Sequence, residues 1–405
     1  MPTPPRAHGA ADARSSAGPD AAEVVRIRGP QDLAVAVPYL IGFRPECSLV
    51  VVATAGPGRQ RVCVTMRVDL PMDPIPDQEL ISYSVPIIRA LRYAEAERVS
   101  VLIYPEQPPD LDGVALALPC SGLVDGLRVQ LVAADFEVVE ALCVVADGEG
   151  EARYWSYLCR DDGCCSPQGR LTESSATTRV GFAFVSNGRS ALPSRAELVR
   201  SLSPAGSADP ERAGVLAGVC ELERATRVAL GPDPSRPGAD RARCAWRADL
   251  ARQSASVLAA GAATVPALAL TVAQQALLLV ALSQVCVRDL VLAEAARRDE
   301  LVEVVDQLTP VVRRAPAGLL APVATSLALC AYLHGDGALA WVALDRARED
   351  DPDYSLATLL ARCLAGGVGP ARMQEAMRSL PPVSHWDGGP VGARRGRWSY
   401  KEETD

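Results

Sequence analysis

The sequence predicts an α/β domain with a layered, mixed sheet, followed by an all-α domain containing one tetratricopeptide-like helix pair. Three observations point there. Strand-length apolar runs alternate with helical periods as far as about residue 195, strand signals stop beyond it, and Gly/Pro clusters punctuate both parts. The 405 residues, 49% hydrophobic and 22% charged, are enough for two ordinary domains.

Residues 1–22, rich in Pro, Ala, Gly and Ser, read as a disordered tail. Val24 to Ile27 is a strand or lead-in segment, and LAVAVPYLIGF after Asp32 a helix stopped near Pro38 to Gly42. Ser48 to Thr54 (SLVVVAT) is apolar throughout, as a buried central strand is. After the Gly56-Pro57-Gly58 turn, Arg61 to Val68 alternates, so the two runs predict a hairpin. Asp77 to Glu97 has a helical period, with Pro86 kinking it or lying near its start. Val99 to Tyr104 is the next buried strand, Asp110 to Arg128 a helix broken around Pro119, and Phe136 to Val145 another strand, paired with 151–158. The α/β domain is thus 23–195.

The helical domain, 196–380, begins within the first of the segments 195–203, 210–229, 241–262, 271–286, 289–313, 316–334, 337–349 and 354–365. A break at 231–238 contains two Gly and three Pro. Thr271 and Gln274 have the spacing of a capping box. Residues 327–354 place Ala340, Leu344, Ala347 and Pro352 where a tetratricopeptide-type helix pair has its small, bulky and terminating residues. No second copy accompanies it, so an isolated helical hairpin is preferred to a peptide-binding groove. Residues 381–405 read as a second loose tail.

Composition excludes several roles. A net charge of −8 argues against a nucleic acid or an anionic membrane as partner. The uncharged stretch from Gln253 to Val287 is Ala-rich and carries Gln274, Gln275 and Gln284, so buried helices fit better than a membrane span. Twelve cysteines are too few and too scattered for a disulfide scaffold, and the N-terminus has no apolar signal-peptide core. A cytoplasmic protein is expected; its oligomeric state is not encoded in any motif.

The chain has one lysine, Lys401, and three histidines, His8, His334 and His385. The α/β half therefore offers no phosphate-loop lysine, no Schiff-base lysine and no imidazole base. His334, before Gly335-Asp336-Gly337, reads as the end of a helix. No cofactor is expected, and the chain leans away from enzyme function.

Two constellations remain. Cys159, Cys164 and Cys165 lie in a turn with Asp161, Asp162 and Gly163; thiolates at close spacing can hold zinc, but a structural site wants four ligands. Packed free thiols are the preferred reading, with zinc next and a redox pair after it. The second is Arg67 and Asp69 at a strand end, placed near Arg44 and Ser48 by the expected pairing, where α/β crevices bind ligands. A charged pair there is more often a salt bridge closing a turn, and Asp69 needs strong desolvation to act as a base.

Four ordered segments resemble one family: PYLIGFRPECSLVVV (38–52), RVDLP (67–71), YWSYLCRDDGCCSPQGRLT (154–172) and GDGALAWVALDRAREDDPDYSLATLLARCLAGG (335–367). They resemble the actinobacterial domain-of-unknown-function family 4192. The likeness spans about 23–370, implies a cytoplasmic protein of a high-GC actinobacterium, and implies no activity or catalytic residues. The residues favour a non-catalytic interaction or regulatory module with a protein partner on the helical domain. The alternatives are a small-molecule binder or enzyme using the crevice near Arg67 and Asp69, and a thiol or zinc sensor at Cys159 to Cys165.

Overall fold

The computed structural model describes residues 25–56, 61–71, 75–109, 118–146, 151–159, 166, 168–172, 178–187, 189–206, 208–231, 238–261, 269–298 and 301–389. Helix α1, Pro30–Ile41, starts on a proline and ends at Gly42, which is left-handed at φ 81°. Pro38 lies inside it rather than stopping it. Residues 25–28 are irregular, so the strand reading of this lead-in is not met.

The predicted hairpin is present as β1, Ser48–Ala55, and β2, Arg61–Asp69, in antiparallel register from Ser48↔Asp69. Helix α2, Asp77–Tyr93, keeps Pro86 in its interior, on an exposed face where water can satisfy the freed carbonyl. Strand β3, Arg98–Tyr104, lies antiparallel to β1. Helix α3, Ser121–Ala133, begins just past Pro119 and continues beyond Arg128; residues 110–117 of the expected longer helix lie outside the described residues. Strand β4, Glu137–Ala146, is parallel to β3, while β5, Ala152–Ser156, and the short β6, Arg170–Leu171, add antiparallel edges. The resulting sheet is mixed, in the order β2-β1-β3-β4-β5-β6.

Strand alternation divides the core. Leu49, Val51, Val99, Val101 and Ile103 face α2 and α3. Val50, Val52, Leu102, Tyr104, Leu142 and Val144 face α1 and join a core that continues into the helical half. Glycine tightens the first layer: a β-carbon at Gly126 of α3 would lie 2.2 Å from a methyl of Leu80 on α2.

Two short helices carry the chain across, α4, Arg179–Ser186, and α5, Arg195–Ser201. The helical half follows as α6, Pro210–Leu230, α7, Ala239–Gly261, α8, Val272–Ser283, α9, Val285–Ala295, α10, Val302–Arg314, α11, Leu320–His334, α12, Gly337–Asp350, α13, Ser355–Ala365, and α14, Pro370–Arg378. The single helix expected over 289–313 is two, α9 and α10. The capping box is formed: Gln274 N donates to Thr271 Oγ1 at 3.3 Å, and Thr271 N to Gln274 Oε1 at 2.9 Å.

Buried Gln275 is satisfied, donating to Leu270 O at 3.0 Å and accepting from Arg314 Nη1 at 3.2 Å. Arg314 also meets Asp209 at 2.9 Å and Glu211 at 2.8 Å, which ties α10 to the start of α6. Hydrogen bonding to Arg314 holds the Asp209 carboxyl below its ordinary pKa.

Helices α11 and α12 form the expected hairpin, closed by Asp350, whose carboxylate accepts from Gly318 N and Ala321 N at 2.9 Å each. Its tetratricopeptide character is not confirmed. Residues 381–389, expected within a loose tail, are packed instead: Val383 and Trp386 are buried in the helical core. Among the described residues, no single helix is long and apolar enough to cross a membrane. Helices α8 and α9 have the composition together but meet at 113°, and most of their side chains are buried inside the protein.

The two halves touch closely at Gly367, which has φ +75° and would place a β-carbon 2.6 Å from Ala90 Cα on α2. Gly56 has φ +103° but open space around it. Gly56→Ala should therefore lose only the left-handed penalty of about 1–2 kcal/mol. Gly367→Ala should lose that and an overlap term of about 1–3 kcal/mol as well. Thermal melts of both variants check this; equal losses would mean that the contact between the halves is loose.

Candidate functional site

Strands β3 and β4 form the parallel pair, and their carbonyl ends, at Tyr104 and Ala146, lie together with the start of β1 and the start of β5. In α/β sheets such an end is where ligands bind. A cavity of about 250 Å³ opens there between the sheet, the second half of α1 and residues Val185, Ser190 and Ala191. Pro38, Tyr39, Tyr104, Val144 and Val185 contribute to its walls, and Arg44, Glu151 and Thr172 are its polar lining residues.

Each polar group is positioned by backbone. Arg44 N donates to Leu192 O and Leu192 N to Gly42 O, both at 2.9 Å, which pins the segment after α1 against the 189–194 loop. The Arg44 side chain lines the cavity and makes no hydrogen bond or ion pair among the described residues. Thr172 closes the β5 edge, its Oγ1 accepting from Ala152 N at 2.9 Å and its N donating to Ala152 O at 2.7 Å. Tyr39 is held by stacking on Phe184 of α4, ring centroids 5.2 Å apart and 5° from parallel. Pro38 has no N–H to offer the Ala34 carbonyl one turn earlier, and both residues lie in the cavity wall.

Tyr104 is the unusual member. It is 5% exposed, and its hydroxyl is buried with no hydrogen-bond partner among the described residues. Burial pushes its pKa well above the ordinary phenol value, so it stays neutral and can donate. A buried unpaired hydroxyl is destabilising by about 1–3 kcal/mol.

The four residues expected at the strand end are split. Ser48, Arg67 and Asp69 do come together: Arg67 Nε donates to Ser48 Oγ at 2.8 Å and Arg67 Nη2 meets Asp69 Oδ1 at 2.7 Å. Ser48 Oγ in turn donates to Glu46 O at 2.5 Å. Asp69 is largely exposed, so this ion pair contributes little. Arg44 does not join them; it belongs to the cavity. Tyr104, Glu151 and Thr172 were missed. The available signal for Tyr104 was a hydroxyl at the last position of an otherwise apolar strand, where the carbonyl end opens.

A second cavity of about 270 Å³ lies beneath the start of α1, lined by Glu140, Ser156, Cys159 and Arg170 among others. Burial raises the Glu140 carboxyl above its ordinary pKa. Cys159 is half-buried there, whereas Cys164 and Cys165, with Asp161 and Asp162, lie outside the described residues. Among the described residues, no group of three or more His, Cys, Asp or Glu side chains could hold a metal ion. His334 ends α11, as its position before Gly335 implied.

Removing the Tyr104 hydroxyl should not destabilise the protein, because it makes no hydrogen bond to the described residues. Tyr332→Phe is the contrast, since its hydroxyl donates to Val368 O at 2.6 Å and its loss should remove about 1 kcal/mol. Melting both variants beside the parent checks this; a Tyr104→Phe loss as large as that of Tyr332→Phe would show a partner within the protein.

No curated protein and no solved structure matches this chain. One family model does, and it spans most of the sequence, including every segment that builds the sheet, the cavity and the α11–α12 hairpin. By that match over residues 30–371, the chain belongs to DUF4192, a domain of unknown function.

Proposed function

We propose that this chain is a binding protein whose α/β half takes a small molecule in the cavity at the carbonyl ends of β3 and β4, without performing chemistry on it. The observation that carries this reading is the cavity's place at the carbonyl ends of the parallel pair, with the Arg44 side chain in its lining and unpaired among the described residues. At about 250 Å³ the cavity is smaller than those that take drug-sized ligands or nucleotide cofactors. Catalysis is disfavoured by the side chains at hand: the α/β half, 23–195, contains neither His nor Lys. The cytoplasm is the compartment this reading assumes.

A protein partner on the helical half is the second reading. It is favoured by Trp341 and Leu359, on the adjoining helices α12 and α13, which leave 36% and 58% of their surface exposed.

Ser190 is exposed at the cavity, so Ser190→Trp should obstruct it without disturbing the core. Equilibrium dialysis of the intact protein against a small-metabolite extract of its own cells, followed by mass spectrometry of the retained compounds, tests the proposal. A compound should be enriched by the parent and not by Ser190→Trp. Equal enrichment by both proteins, or none by the parent, would contradict it.

A further inference from the structure

We infer that the second cavity, beneath the start of α1, binds a small primary amine with an apolar body, its ammonium group held by the Glu140 carboxylate. This site shares no lining residue with the cavity at the carbonyl ends of β3 and β4, and it does not rest on the binding reading above. Glu140 carries the inference. Its side chain lines the cavity and makes no hydrogen bond or ion pair among the described residues. Neither of its oxygens is sealed away from solvent, so the carboxylate is open to a ligand. A carboxylate withdrawn part-way from water without a partner is matched by a cation that brings its own N–H donors.

The strand neighbours explain why no side chain of the sheet supplies that cation. Register places Ser100 of β3 opposite Glu140 on one side. On the other, Tyr157 N donates to Ala141 O at 2.8 Å, which carries the β5 pairing on to Leu158. Neither Ser100 nor Leu158 can compensate a charge. Arg98, on the same face of β3 as Ser100, is taken by Glu137 through two bonds at 2.9 and 3.0 Å. Arg170 is in the lining but has a partner of its own. The Glu140 carboxyl agrees with this picture: burial alone raises its pKa, and no cation opposes the rise. Pro30, Val139, Tyr154 and Leu158 offer carbon surface to the body of the ligand. At about 270 Å³ the cavity lies below the range of about 300–1,000 Å³ typical of drug-sized ligands, so one ring or a short chain fits beyond the ammonium group.

Titration calorimetry on the full chain at neutral pH tests the inference with benzylamine, its neutral analogue benzyl alcohol, and the anion benzoate. Benzylamine should bind, and the other two should bind at least about tenfold more weakly. Glu140→Gln keeps the shape and removes the charge. It should weaken benzylamine by about tenfold or more and should melt no lower than the parent. Ser190→Trp, placed in the other cavity, should leave benzylamine affinity unchanged. The comparison of probes on the parent stands if Glu140→Gln does not fold. Benzyl alcohol or benzoate binding as tightly as benzylamine would overturn the amine assignment, as would unchanged benzylamine affinity in Glu140→Gln. Loss of binding in Ser190→Trp alone would overturn it by placing the amine at the carbonyl ends of β3 and β4. No binding of benzylamine by the parent would overturn it as well, while leaving the dialysis result for the other cavity untouched.

Discussion

The sheet is apolar on both faces, and this constraint shapes the rest of the molecule. A sheet of that kind must be covered twice. Its own crossover helices, α2 and α3, cover the face made by Leu49, Val51, Val99, Val101 and Ile103. For the other face the N-terminal part supplies chiefly α1. Val50, Val52, Leu102 and Leu142 therefore belong to a core that runs on through α1, Phe43 and α5 into the helical half. The boundary near residue 195 is a change of secondary structure, and the buried apolar surface is continuous across it. Arg195 and Asp345 bridge it at 3.3 Å, and Gly367 meets α2 on the far side.

The cavity is a consequence of the same arrangement. Helix α1 lies over the sheet but ends at Gly42, and α4 reaches it only through the Tyr39–Phe184 stack and its neighbours. Between those two helices and the carbonyl ends of β3 and β4 the cover is incomplete. Polar atoms collect there because strand ends and the loop after α1 bring backbone and side-chain donors to a place that the apolar layers do not fill. Arg44 and Tyr104 come from segments sixty residues apart in sequence, and strand register and the 42–44 to 192 pairing place both in the cavity lining.

Much of the fold was legible in local pattern. The β1–β2 hairpin, β3 and β4 are rich in the β-branched and apolar residues that strands favour, and most helices of the second half show their period and caps. What was not legible depends on tertiary context. Helix α4, RVGFAFVS, has a composition suited to a strand; it is helical because Thr178 caps it, with Gly181 N donating to Thr178 Oγ1 at 3.0 Å, and because Val180 and Phe184 pack on α1. Residues 381–389 look like tail, yet Trp386 is buried and its Nε1 donates to Gly389 O at 2.9 Å. At the site, the meeting of Ser48, Arg67 and Asp69 followed from hairpin register, which sequence can supply. The separate placement of Arg44 depends on the turn after α1, and Tyr104 is hidden in an apolar run that reads as ordinary core.

Calorimetric unfolding of the intact chain tests the shared core most directly. Leu102 in the sheet and Leu327 in the helical half are both fully buried, so Leu102→Ala and Leu327→Ala should each remove about 2–5 kcal/mol. A core common to both halves predicts one cooperative transition, lowered by either substitution. Two transitions, each shifted by only one of the substitutions, would contradict it.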